Sequence, residues 1–280
     1  MKLIKPKFLA KLCRLLPDPN WRMMTEQYVK ITGKFPEISN ELWDFMNDNR
    51  KFMLKHRHEY RIVSLGADCM PRTYSTVHML KPCKAAGEKG MPFDLANTEP
   101  HALAHFLEND FADYFTGEWS YDFEHKRWRN ALWSNMFYPH DKDCDETCLE
   151  KLQNRLRERI KNFYELLDFP GLVVFAAHRR YMQWEQDVPG KIEDLDRAAA
   201  RLMEMRKGKP TRIVVISTDW DAPEETMQHA KYVRLRYPDA EYRWYEGSRR
   251  YTFECMHHEM NFVREVRKTI CEGLNIDYNG

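Results

Sequence analysis

The sequence predicts a three-layer α/β fold built on a mainly parallel sheet, and three observations predict it. Residues 62–65, 172–177 and 212–217 each carry a continuous apolar run: Ile62-Val63 with Leu65, Leu172-Val173-Val174-Phe175-Ala176-Ala177, and Ile213-Val214-Val215-Ile216. A strand with one wet face alternates, whereas unbroken runs mark a sheet covered on both faces. Helical patterns lie between these runs, which is the order that gives parallel pairing. The composition is that of a globular chain: 280 residues, 43% hydrophobic and 13% aromatic, with 11 glycines and 14 prolines. Such a chain can bury a sizeable core.

Taken in order, residues 1–58 read as a helical appendage without strand signals. Glu41–Met46 and Phe52–Leu54 give a broken helical pattern, and Asp18-Pro19 and Phe35-Pro36 interrupt it. Lys2, Lys5, Lys7, Lys11 and Arg14 precede the first acid, Asp18, and are interleaved with leucines, Ile4 and Phe8. Charges interrupt every apolar stretch, which argues against a secretory signal. Residues 1–16 form either a basic amphipathic helix suited to peripheral contact with an anionic membrane or a terminal helix docked on the body.

An α/β domain is expected over 59–280. Its first strand stops at Gly66, and helix 72–81 follows Pro71. Thr98-Glu99-Pro100 opens another helix, with Thr98 as N-cap. Residues 146–167 are strongly amphipathic, with Leu149, Leu152, Leu156, Ile160 and Phe163 on one face. Helices are also expected at 191–206, 223–236 and 261–273, with a weaker strand at 240–245.

Several function classes recede. Lys+Arg 44 against Asp+Glu 43 leaves no field for nucleic acid. There is no Walker A or G-x-G-x-x-G pattern, so no nucleotide cofactor is expected. No apolar run approaches the roughly 18 residues of a membrane span. The cysteines at 13, 69, 83, 144, 148, 255 and 271 are odd in number and irregular in spacing. They suggest free thiols in a reducing, cytoplasmic setting. His140-x3-Cys144-x3-Cys148 supplies only three ligands, so no metal site is expected.

The candidate site begins at Arg61–Pro71. Cys69 falls near the mouth of a helix, where free amides and the helix dipole lower a thiol pKa and favour the nucleophilic thiolate. Gly66, Ala67 and Asp68 form the turn, and backbone N–H groups over 67–70 could hold an oxyanion. The alternative is a small residue packed under a turn. A base could come from His257 or His258, with Glu254 three residues before the first, or from His140 ahead of the long helix. Asp94 could orient a histidine or close an Asx-turn. His178-Arg179-Arg180 and Thr218-Asp219-Trp220-Asp221 follow strands and so stand at strand carboxyl ends, where open α/β sheets carry their sites.

Two resemblances add to this. Ser64-Leu65-Gly66-x-x-Cys69, Pro92-Phe93-Asp94, Asn109-Asp110-Phe111 with Phe115, Pro139-His140-Asp141, the arginines 155, 157 and 159, and strand 173–175 occur in that order over roughly residues 60–220. This series resembles a bacterial family of largely unknown function described as papain-like cysteine peptidases. It implies Cys69 as nucleophile, His140 as its partner, and Asp94 or Asp141 as orienting acid. Papain-like enzymes carry their histidine on an antiparallel sheet, which the alternation here does not match. Glu254-x-x-His257 is similar to the D-x-x-H block of SGNH/GDSL hydrolases, with glutamate for aspartate, Cys69 for the serine and no G-x-N-D block.

The expectation is therefore a cysteine-dependent hydrolase or acyl transferase acting on a small-molecule or peptide substrate. The alternative is a non-catalytic or carbohydrate-modification accessory protein that binds a polar ligand through His178, Arg179 and Arg180, with Cys69 structural.

Overall fold

A computed structural model describes residues 16–32, 40–66, 68–94, 96–130, 132, 136, 138, 141, 143–179, 191–218, 224–237 and 253–278. Helices α1 (Pro19–Thr32) and α2 (Asn40–His56) precede strand β1 (Tyr60–Ser64) and helix α3 (Met70–Val77). Then come α4 (Pro100–Glu108), β2 (Trp119–Asp122), β3 (Arg127–Asn130) and α5 (Leu149–Leu167). The chain continues through β4 (Leu172–Arg179), α6 (Ile192–Met205), β5 (Thr211–Ser217), β6 (Lys231–Arg234) and α7 (Phe253–Leu274).

The main sheet has the order β1-β4-β5-β6, and every pair in it is parallel. Tyr60 stands opposite Leu172, Phe175 opposite Ile213, and Val214 opposite Lys231. The period-2 pleat sorts the apolar runs onto two faces. Val63, Val173, Phe175, Ala177, Ile213 and Val215 pack with residues of α4, α5 and α6. Ile62, Val174, Ala176, Val214 and Ile216 pack with α3 and α7. This is the three-layer α/β arrangement, and strands 62–65, 172–177 and 212–217 are neighbours in it.

The structure corrects several element assignments. Residues 223–236 hold no helix among those described; Lys231–Arg234 is the fourth strand, since pairing with β5 outweighs a weak local helical pattern. The weaker strand at 240–245 lies outside the described residues. The antiparallel hairpin of β2 and β3 gave no sequence signal, because four-residue strands are too short to show alternation. Glu99, not Thr98, is the N-cap of α4, with Pro100 in the first turn. The last helix starts at Phe253, well before Asn261.

Helices α1 and α2 pack on the body. The Asn20 amide donates to the carbonyls of Thr76 (3.3 Å) and Lys81 (2.9 Å) and accepts from the Cys83 N–H (3.0 Å). Asn49 donates to the His78 carbonyl at 3.0 Å, and Arg267 reaches back to Asp48 and Asn49. Met24, Leu42, Met46, Met79 and Met260 fill the seam. Residues 1–15, most of the segment considered for membrane contact, lie outside the described residues. Among those described, no helix is long and apolar enough to cross a membrane.

Three basic side chains finish the sheet. On the outer edge of β1, Lys81 Nζ donates to the Ile62 carbonyl at 2.6 Å and Arg61 to the Tyr60 carbonyl at 2.8 Å. Capping edge carbonyls this way blocks pairing with another chain. At the amino ends of the strands, the buried Arg206 guanidinium donates to the carbonyls of Leu166, Leu167, Phe169, Gly171 and Pro210. It gathers the last turn of α5 and the starts of β4 and β5.

Candidate active site

The site is built where β1, β4 and β5 end. After Ser64 the chain turns at Gly66, whose φ is +83°. A Cβ at that position would stand 3.1 Å from the Thr98 Cβ, so both backbone and space favour glycine. Two residues on, Asp68 Oδ1 accepts the Met70 N–H at 2.9 Å and fixes the first turn of α3. Cys69 is the N-cap residue and Pro71 lies in the first turn, as the sequence predicts. Ala67 lies outside the described residues. The Met70 N–H, expected to help hold an oxyanion, is committed to Asp68.

The Cys69 thiol does not behave as a helix mouth alone would dictate. It is 7% exposed and packs in the core under α3 and α7. Burial and the adjacent Asp68 charge push it up to about 12, against the smaller opposing effects of Thr73 and Arg72. Desolvation of the thiolate and a like charge outweigh the helix dipole. The expected lowering is thus reversed.

The charge at this turn meets a histidine instead. Asp68 Oδ2 lies 2.9 Å from His178 Nδ1, and His178 Nε2 lies 2.6 Å from Thr218 Oγ1. His178 is the penultimate residue of β4, and Thr218 follows the last residue of β5. Strands β4 and β5 are adjacent, so the pleat aims both side chains at the α3/α7 face. An ionised carboxylate only accepts, so Nδ1 carries the proton and Nε2 accepts the threonine hydroxyl. Thr218 is fixed through its backbone as well, donating to the Arg179 carbonyl (3.3 Å) and accepting from the Tyr237 N–H (2.9 Å). His178 and Thr218 are fully buried and Asp68 is 6% exposed.

Helix α7 closes this cluster. The Phe262 ring stands edge-on to His178, with centroids 6.3 Å apart. His258 packs against Tyr237 and bonds the Arg236 backbone; burial lowers its pKa to about 4, with Glu259 pulling the other way and His178 adding to the depression. Glu259 Oε2 meets His78 Nε2 at 3.0 Å.

The remaining candidates stand apart from this chain of contacts. His257 and His258 precede the helix expected at 261–273, but both lie within α7, and His257 pairs with Glu41 of α2 at 3.2 Å. Glu254 lies in the first turn of the same helix. Asp94 Oδ2 accepts the Met91 N–H at 2.9 Å and faces Arg72 Nε at 3.4 Å, so it closes its turn and anchors α3. Asp141 is held by Arg155 (2.6 Å) and Arg159 (2.8 Å), which gives the basic helix a structural role. Arg179 is buried and pairs with Glu225. His140 and Arg180 lie outside the described residues. Among the described residues, no three histidine, cysteine or acidic side chains are grouped to hold a metal.

Each member of the Asp68–His178–Thr218 chain is legible as a polar residue at a strand end, but their mutual contact is not. The 110-residue separation of Asp68 and His178 carries no spacing signal. Fold and site together define a three-layer α/β protein with a buried aspartate–histidine–threonine chain at the carboxyl edge of its sheet. Comparison with protein-family models, with curated proteins and with solved structures finds no match for the chain.

Proposed function

We propose that the protein is a hydrolase or acyl transferase in which His178 is the general base, Asp68 its orienting acid, and Thr218 the nucleophile. The observation that carries this reading is the Oδ2–Nδ1 and Nε2–Oγ1 pair of contacts at 2.9 and 2.6 Å. Acid, imidazole and hydroxyl stand in the order that activates an alcohol for acyl transfer. The Thr218 oxygen attacks the substrate carbonyl carbon while its proton passes to Nε2. The imidazolium, stabilised by Asp68, gives that proton to the leaving group. Water or a second acceptor then attacks the acyl-threonine, with His178 again taking the proton. Such a step calls for the carbonyl of an ester, amide or thioester.

A second nucleophile has one observation in its favour: Cys69 occupies the helix mouth directly after Asp68. Against it, the thiol must be deprotonated from about 12.

Reaction with a fluorophosphonate probe, followed by peptide mass mapping, tests both. An adduct on Thr218 that is lost in His178→Ala and Thr218→Val, with each variant still folded by circular dichroism, supports the reading. An adduct on Cys69 moves the nucleophile to the thiol. The absence of an adduct on either residue, together with no p-nitrophenyl acetate turnover, rejects acyl transfer.

A further inference from the structure

A cleft of about 560 Å³ opens at the other end of β1, between the end of α2, the outer edge of the strand and the carboxyl end of α5. Its volume lies within the range of small-molecule sites, about 300–1,000 Å³. Met53 and Leu166 give it apolar walls, and the Phe169 ring lines one side.

Its charges do not balance. Three carboxylates line it, and each has a lysine of its own: Glu88 meets Lys81 at 3.0 Å, Glu165 meets Lys89 at 2.6 Å, and Asp168 meets Lys209 at 2.8 Å. Two arginines also line it, Arg57 and Arg61, and among the described residues neither has a carboxylate within ion-pair distance. Arg57 Nε contacts the His58 ring at 2.9 Å. Arg61 Nη1 donates to the carbonyls of Arg57 and Tyr60, and its guanidinium lies over the Phe169 ring, 4.4 Å from the centroid. A cation–π contact of this kind suits the planar guanidinium and holds it beside the apolar wall.

We infer that this cleft binds a phosphate monoester bearing an aromatic or similarly planar group. Two unmatched guanidiniums suit a dianion, and their forked donors match phosphate oxygens. The Arg61–Phe169 stack and the apolar walls suit a planar body. The site is separate from the Asp68–His178–Thr218 cluster and independent of the reaction assigned there.

Calorimetric titration with phenyl phosphate, inorganic phosphate and phenol tests this. The full chain is compared with Arg57→Gln, Arg61→Gln and the control Lys51→Gln on the exposed face of α2. Phenyl phosphate should saturate one site, bind at least about tenfold tighter than inorganic phosphate, and weaken as salt rises. Each arginine variant should lose at least about tenfold in affinity while still unfolding in a single cooperative transition, and Lys51→Gln should bind unchanged. The inference is overturned if phenyl phosphate does not saturate below about 10 mM, if inorganic phosphate binds as well as phenyl phosphate, or if the arginine variants bind like the parent.

Discussion

At the carboxyl end of the sheet, His178, Thr218, Asp68 and His258 are buried, and each meets a partner from another element. At the amino end, Arg57 and Arg61 line an open cleft, and among the described residues neither has a carboxylate at ion-pair distance. The contrast follows from solvation. A polar group taken out of water must be hydrogen-bonded, so the carboxyl-end cluster is necessarily also a structural tie among β1, β4 and β5. An exposed guanidinium keeps its water and can be left unmatched at little cost, which makes it available to a ligand. Arg206 shows that the difference is one of burial and not of which end of the sheet is considered: it lies at the amino end, is buried, and is fully committed to carbonyls.

Variants that break this comparison differ in expected size. Arg206→Met should have the largest effect. It strands carbonyls of α5, β4 and the β5 entry, and each unsatisfied carbonyl costs about 1–3 kcal/mol. With partial rescue by water, a loss of about 3–5 kcal/mol is expected in urea denaturation. A loss below about 1 kcal/mol would show that the staple is dispensable.

Acid should act next, and through the carboxyl end. His258 has a folded pKa of about 4 against the unperturbed 6.5. Between those values the unfolded chain binds the extra proton, so stability falls as pH drops from 6.5 toward 4 and levels below that. The loss from this group is about 3 kcal/mol at most. Carboxylates add their own acid slope, so the quantity to measure is the difference between the parent and His258→Gln across that window. Parallel curves would remove His258 as the cause.

Asp68→Asn keeps the shape, and its remaining oxygen can still accept the Met70 N–H, but it removes the charge facing His178 and sets an amide NH2 where Nδ1 needs an acceptor. A loss of about 1.5–3 kcal/mol is expected from chemical denaturation, the range for hydrogen bonds to charged groups. If the proposed reaction holds, turnover should fall far more steeply than stability, by about 10⁴-fold, because the imidazole loses its required tautomer.

The smallest stability effect belongs to the cleft. Arg57→Gln should change the unfolding free energy by no more than about 0.5 kcal/mol, and Arg61→Gln, which also gives up its bonds to the Arg57 and Tyr60 carbonyls, by about 1 kcal/mol, while each weakens phenyl phosphate at least about tenfold. A larger stability loss in either would mean that the guanidinium is part of the fold and not held in reserve for a ligand.

The apolar runs at 62–65, 172–177 and 212–217 determined the layered α/β fold by themselves, because covering both faces of a strand leaves no polar alternation to read. Gly66 and Pro71 likewise determined where β1 ends and α3 begins, since each restricts its own backbone wherever it is placed. The sequence also marked Asp68, His178 and Thr218 as polar residues at strand ends. Only the tertiary structure decided what those residues do. The Cys69 thiol is raised and not lowered because burial and Asp68 outweigh the helix dipole, and burial is not a local property. Lys231–Arg234 became a strand because β5 offered an unpaired edge. His178 met Asp68 because parallel pairing in register brings distant strand ends together, and that register is set by the packed sheet as a whole.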